Sequence, residues 1–213
     1  LGAPRFQESL LPEAGRPGVV TGLAWTSVGG EILPIECTLL PGKGTLILTG
    51  KLGDVMKESA QIALSLVRER LESFGVKPKV FRKMDIHIHV PEGAVPKDGP
   101  SAGIALTLCI LSAFTKHPIS PEIAFTGEVS LTGACLAIGG LNEKALAALQ
   151  AGVKTLRLPT QNKKDVDELP APAKKGLKIY THKHIDEIIG ILFKGVKAPD
   201  YPCDDDPSDT EKE

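Results

Sequence analysis

Two short stretches of this sequence combine residue types that can make and break bonds. The first is Lys97-Asp98-Gly99-Pro100-Ser101-Ala102-Gly103. Its serine follows a proline, has glycines on both sides and opens the run SAGIALTLCILSAF, which is apolar nearly all round. Such a run reads as a buried helix. Ser101 therefore falls at a helix N-terminus, where free N–H groups favour negative charge. A serine hydroxyl attacking a carbonyl creates an oxyanion and needs donors of that kind. Pro100 has no N–H, so the donors would be Ser101 itself and Gly99 or Asp98. The plainer reading is a helix cap, which has the same local signature.

The second stretch is Ile138-Gly139-Gly140-Leu141-Asn142-Glu143-Lys144. A lysine in the first turn of a helix is electrostatically misplaced, because the dipole disfavours a cation there. Apolar neighbours would push its pKa down as well. A lysine so placed can act as a neutral base near physiological pH. The plainer reading is a solvated lysine that pairs with Glu143.

Other patterns carry less. Gly99-Pro100-Ser101-Ala102-Gly103 satisfies the G-x-S-x-G elbow of α/β-hydrolases, which requires a strand running straight into the serine. Here the preceding strand ends near Val90, and a loop of about ten residues intervenes, against that context. Gly42-Lys43-Gly44 and Gly50-Lys51 fail the phosphate-loop pattern, which needs Gly where Thr45 stands and Ser or Thr where Leu52 stands. His87 and His89 alternate on one strand face, and His182 and His184 repeat the spacing. Two such pairs lack a third nearby ligand, so no metal site is assigned. A triad of His87 and Asp85 with Ser101 explains less of the sequence than Lys144 does. Trp25 reads as core or subunit interface rather than a substrate stack.

The elements that must position these residues follow from periodicity. Val19–Trp25 and Ile32–Ile35 read as strands around a Gly29-Gly30 turn, and Leu46–Leu48 follows a Pro41–Gly44 turn. From Leu52 the apolar residues recur at three- and four-residue steps up to Phe74, a long amphipathic helix ended by Gly75. The alternating MDIHIHV over 84–90 predicts a strand, and the buried helix from Ser101 follows a Gly/Pro-rich loop. Beyond it come short apolar runs at Ile123–Phe125 and Leu136–Ile138 and a helix over Asn142–Ala151 with Gly152 behind it. A strand at Thr155–Leu158, a short helix at Lys164–Leu169, a strand at Leu177–Tyr180 and a helix at Ile185–Phe193 complete the series. The intermixed elements predict an α+β domain, with a parallel sheet in its second half.

Composition narrows the function classes. The 213 residues include 42% hydrophobic ones and carry a formal net charge of −1, ordinary for a globular chain. No apolar run approaches the roughly 18 residues of a membrane span, and no signal peptide is visible. Seven acids against Lys212 crowd the tail from Pro199. The rest is mildly basic without a basic stripe, so nucleic acid is not an expected partner. Four scattered cysteines show no metal-like spacing and fit a reducing compartment. Without an initiator Met, the chain reads as a piece of a longer or processed protein.

Together, DIHIHVPEGAVPKDGPSAG, TGEVSLTG and GGLNEKALAALQAG closely resemble the proteolytic domain of the Lon ATP-dependent protease family. TGLAWTSVGGE, PGKGTLILTG and LGDVMKESAQIAL are similar to the start of that domain, so the resemblance spans about residues 1–195. It is to the A-type, in which an ATPase precedes the protease in one chain. It implies a compact α+β fold with mixed sheets, unlike trypsin-like or subtilisin-like proteases. It also implies a Ser–Lys dyad at Ser101 and Lys144, with Thr126 orienting the lysine, and a loop around Asp98 that switches between blocked and open forms. The family commonly has GGxKEK and LPIGG where this chain has Asn142 and Ala137; neither change removes a dyad residue.

On this reading residues 1–17 are a linker from an upstream ATPase region, 18–197 the proteolytic domain and 198–213 an acidic, disordered tail. The resemblance further implies unfolded or damaged polypeptide substrates, a homo-hexameric ring and no membrane association. No cofactor is expected in this chain, since ATP and Mg would bind the fused ATPase module. The compartment is the cytoplasm or, alternatively, the mitochondrial matrix. Two rival readings remain: a catalytically silent ring-assembly module, and an α/β-hydrolase esterase using the GPSAG serine.

Overall fold

A computed structural model describes residue 11 and residues 14–91 and 97–201. The expected linker and tail lie largely outside these. Strands β1 (Val19–Thr26) and β2 (Gly29–Pro41) form an antiparallel hairpin in which Trp25 opposes Gly30 and Thr26 opposes Gly29. The turn is therefore Ser27-Val28, one step before the expected Gly29-Gly30. Strand β3 (Leu46–Thr49) leads to helix α1 (Asp54–Arg70), which buries Met56, Ser59, Ala60, Ala63, Leu66 and Val67, the stripe its spacing predicts. A 3-10 turn over Leu71–Phe74 ends at Gly75, whose φ of 86° suits a residue without Cβ.

Helix α2 (Pro78–Arg82) has no counterpart in the sequence reading, because five residues are too few to show a helical period. Strand β4 (Met84–His89) follows, and the buried helix is a 3-10 turn over Pro100–Ala102 continued as α3 (Gly103–Thr115). All 13 residues of α3 are buried. Its polar side chains are satisfied locally: Thr107 donates to Gly103 O and Thr115 to Leu111 O.

The second half supplies β5 (Ile123–Phe125), β6 (Glu128–Val129), β7 (Cys135–Leu136), α4 (Leu141–Gln150) and β8 (Thr155–Pro159). Then come α5 (Lys163–Asp167), α6 (Ala171–Gly176), β9 (Lys178–His182) and α7 (Ile185–Leu192). Seven strands make one mixed sheet in the order β3-β4-β2-β1-β5-β8-β9, while β6 and β7 pair separately. The run β1-β5-β8-β9 is parallel, as the second half predicted. This mixed sheet between helices is the expected α+β arrangement and no all-β protease fold.

Side-chain alternation along the strands divides the interior in two. The larger core joins one sheet face to α1, α3 and α7, and includes Leu33, Ile35 and Phe114. The smaller one joins the other face to α4 and α6 through Leu23, Ile32, Ala145, Leu156 and Ala173. Cys37, Cys109 and Cys135 are buried free thiols. Among the described residues no helix is long and apolar enough to cross a membrane.

Candidate active site

Ser101 and Lys144 come from opposite layers. Ser101 lies in the 3-10 turn that starts α3 over the larger core, and Lys144 in the first turn of α4 over the smaller one. They can meet because the sheet opens between them. β1 pairs with β5 only at Thr21 and Gly22. Beyond Gly22, β1 continues to Thr26 while the chain leaves β5 at Thr126. The gap lies at the carboxyl ends of two parallel strands, where open α/β sheets form their crevices. A cavity of about 190 Å³ occupies it, lined by Ser101 and Lys144 with Leu23, Trp25, Met56 and Ile138 among others.

The turn carrying Ser101 is held at three points. Gly127 N–H donates to Ser101 O at 2.8 Å, and Ile104 N–H donates to Gly127 O at 3.0 Å. Together they tie the start of α3 to the residue after Thr126. Gly103 allows that approach, since a Cβ there would fall 2.9 Å from Val129 N. On the other side Asp98 Oδ1 accepts from Met56 N–H at 3.1 Å and from Gly99 N–H at 2.9 Å. Asp98 thus caps α1 from a distant loop, because Gly53 at the N-cap has no side chain to do so. Next to it the buried Lys97 ammonium pairs with the Glu31 carboxylate on β2.

Lys144 has no exposed surface. Its Nζ donates to Thr126 Oγ1 at 3.1 Å, and Thr126 is equally buried. Burial brings the Lys144 pKa down to about 8, and the positive end of the α4 dipole acts in the same direction. The pairing with Glu143 does not occur: Glu143 points to solvent while Lys144 faces inward. An amine whose pKa lies at about 8, lining one cavity with a serine at a helix start, has the chemistry to serve as a base.

The remaining sequence candidates fall elsewhere. Thr49 Oγ1 lies 2.9 Å from His87 Nε2 and 2.8 Å from His89 Nδ1, so both rings are engaged on an exposed sheet face. Asp85 accepts from the Lys43 and Thr45 amides and caps the β2–β3 turn. His182 is buried beside Arg157, and His184 accepts from Asp186 N–H at the start of α7. No group of three His, Cys, Asp or Glu able to hold a metal occurs among the described residues, and no histidine lines the cavity.

Of the two readings for Trp25, the structure excludes the core: the residue is 51% exposed and lines the cavity. The cavity lining at Leu23, Trp25, Met56 and Ala137–Gly139 escaped the sequence reading. The available signal was TGLAW alternating up to a strand end, but nothing local says which partner that edge lacks.

The site and fold define an α+β domain in which a buried lysine and a helix-start serine line one cavity at an opening in the sheet. The family model described as "Lon protease (S16) C-terminal proteolytic domain" matches residues 1–195. The chain is 51% identical over 199 residues to "Lon protease" of Xanthomonas oryzae pv. oryzae, covering 93% of this chain and 23% of that protein. It is 51% identical over 189 residues to "Lon protease 1" of Myxococcus xanthus, covering 89% and 23%. With "Lon protease 1" of Bacillus subtilis it shares 54% over 180 residues, covering 84% and 23%. The chain belongs to the Lon protease family, as its C-terminal proteolytic domain. It spans about a quarter of the length of these curated relatives.

Proposed function

We propose that this chain is the serine endopeptidase domain of an ATP-dependent Lon-type protease, with Ser101 as nucleophile and Lys144 as general base. The observation that carries it is Lys144: fully buried, bound to Thr126, and sharing one cavity with Ser101. The neutral amine takes the Ser101 proton as the oxygen attacks the peptide carbonyl. Asp98 already engages the Gly99 N–H, which leaves the Ser101 amide to donate to the oxyanion. The Lys144 ammonium then protonates the leaving amine, leaving an ester on Ser101. Lys144 next takes a proton from water, hydroxide attacks the ester carbonyl, and the acid leaves as Ser101 regains its proton. Thr126 holds the amine in place, as the third member of a triad holds its base.

A cavity of this size admits a side chain, not a folded domain, which favours extended, unfolded substrate. Unfolding would fall to a fused ATPase module binding ATP and Mg, and the domain would work within a homo-hexameric ring, with 18–197 as the catalytic unit. These rest on the family. The esterase reading loses ground because the strand before the serine ends at His89 and no histidine reaches the cavity.

The test is cleavage of an unfolded fluorogenic polypeptide by the wild type, Ser101→Ala and Lys144→Ala. Each substitution should lower kcat by about 10³-fold or more with the fold retained. Activity surviving in Lys144→Ala would favour the esterase. Silence of the wild type, alone and fused to its ATPase, would favour the assembly module.

A further inference from the structure

The β1–β2 hairpin meets α4 through two glycines. A Cβ on Gly30 would fall 2.1 Å from Glu143 O, 2.4 Å from the Glu143 carbonyl carbon and 2.9 Å from Lys144 N. A Cβ on Gly140 would fall 2.4 Å from the Trp25 ring. Trp25 and Gly30 oppose each other in the ladder, so both contacts arise from one rung of the hairpin. Gly140 O in turn accepts from Lys144 N–H at 3.0 Å, the first hydrogen bond of α4. The rung therefore touches that helical turn at both ends. At Gly30 the contact is backbone on backbone, which no change of rotamer can relieve.

We infer that the Trp25–Gly30 rung is the positioning element for Lys144. It fixes the height and rotation of the first turn of α4, and so holds the amino group on Thr126 inside the cavity shared with Ser101. The consequence for catalysis rests on Lys144 being the base; the geometric statement does not. An alanine at position 30 would have to drive the Glu143–Lys144 peptide back by about 0.9 Å merely to reach a 3.0 Å contact. A displacement near 1 Å at a catalytic group costs on the order of 10²-fold in rate.

The experiment compares wild type, Gly30→Ala and Val28→Ala, the last at a 95% exposed position on the same hairpin. Two quantities are read: kcat and KM on an unfolded polypeptide, and the NMR titration of the Lys144 side chain, assigned by its absence in Lys144→Ala. Gly30→Ala should lower kcat about 10- to 100-fold with KM little changed. Its Lys144 midpoint should rise from about 8 toward the ordinary 10.5, as the amine leaves its dry seat. Val28→Ala should match wild type in both. A Gly30→Ala protein with wild-type kcat and wild-type titration overturns the inference. If Gly30→Ala does not fold, Trp25→Ala replaces it, read by titration alone; an unmoved midpoint there overturns the inference equally. Should Lys144 prove not to be the base, the titration still reports positioning, so the two ideas fail separately.

Discussion

Lys144 is a costly residue to keep. Its side chain is wholly buried, with Thr126 Oγ1 as its hydrogen-bond acceptor. In the unfolded chain its pKa is the ordinary 10.5, against about 8 when folded. The unfolded state thus binds more protons between those values. Stability contributed by this group rises with pH through that window and is lowest, by a constant amount, below it. A drop of that size is on the order of 3 kcal/mol, partly offset by the bond to Thr126. Lys144→Met should therefore be inactive yet about 1–3 kcal/mol more stable than wild type at neutral pH. Denaturant melts at several pH values check this, with the gap expected to narrow as pH rises through the window. A less stable variant at pH 7 would show that the lysine is not strained by burial.

Part of this was legible in the chain. Leu141, Lys144, Ala145 and Ala148 share one helical stripe, and all four are buried, so the spacing places the lysine on the inward face. Thr126 was not legible from its neighbours. It follows a three-residue strand, and only the crossing of α4 over the sheet brings the two together.

At the scale of elements, the caps and buried polar links were the least visible. Gly53 starts α1 without a capping side chain, and the acceptor for Met56 N–H arrives 42 positions after Met56 as Asp98. Asp98→Ala should cost about 0.5–2 kcal/mol, as lost helix caps do. Asp98→Asn should retain most of that stability, because its amide oxygen can still accept from Met56. Thermal melts of the two variants decide between this cap and a solvated loop acid, for which neither change would matter.

The second link joins β8, β9 and α7. Arg157 Nη1 donates to His182 Nε2 at 3.0 Å, and His182 Nδ1 faces the Glu187 carboxylate at 3.4 Å. Burial first, and then the Arg157 charge, lower the His182 pKa. The unfolded state takes up a proton before the folded state does, so stability falls as pH drops below the ordinary value of about 6.5. His182→Gln keeps an acceptor for Arg157 and should flatten that part of the pH–stability curve. An unchanged slope would contradict the neutral, buried imidazole. The spacing of His182 and His184 says nothing of their burial, and the fold buries His182 while leaving His184 half-exposed.

At the scale of the molecule, strand and helix types were readable wherever a period had room to repeat, as along α1, α3 and β4. The sheet order was not. Nothing in Val19–Thr26 states that β5 pairs with β1 for only two residues, yet that short pairing opens the crevice in which two layers share a site. The resemblance implied the dyad, where the local residues alone favoured a helix cap and a solvated lysine. The site is thus a property of the whole fold. Ser101 belongs to one core, Lys144 to the other, and the hairpin rung and Gly127 brace the meeting point.

The most direct measurement is the pH dependence of kcat/KM for cleavage of a short unstructured peptide, under conditions where chemistry limits the rate. With Lys144 as the base, the rate must rise with pH and level off above a midpoint of about 8. Replacing His87 or His89 should leave that midpoint where it is. A flat profile from about pH 6 to 9, or a midpoint near the ordinary histidine value of about 6.5, would contradict a lysine base.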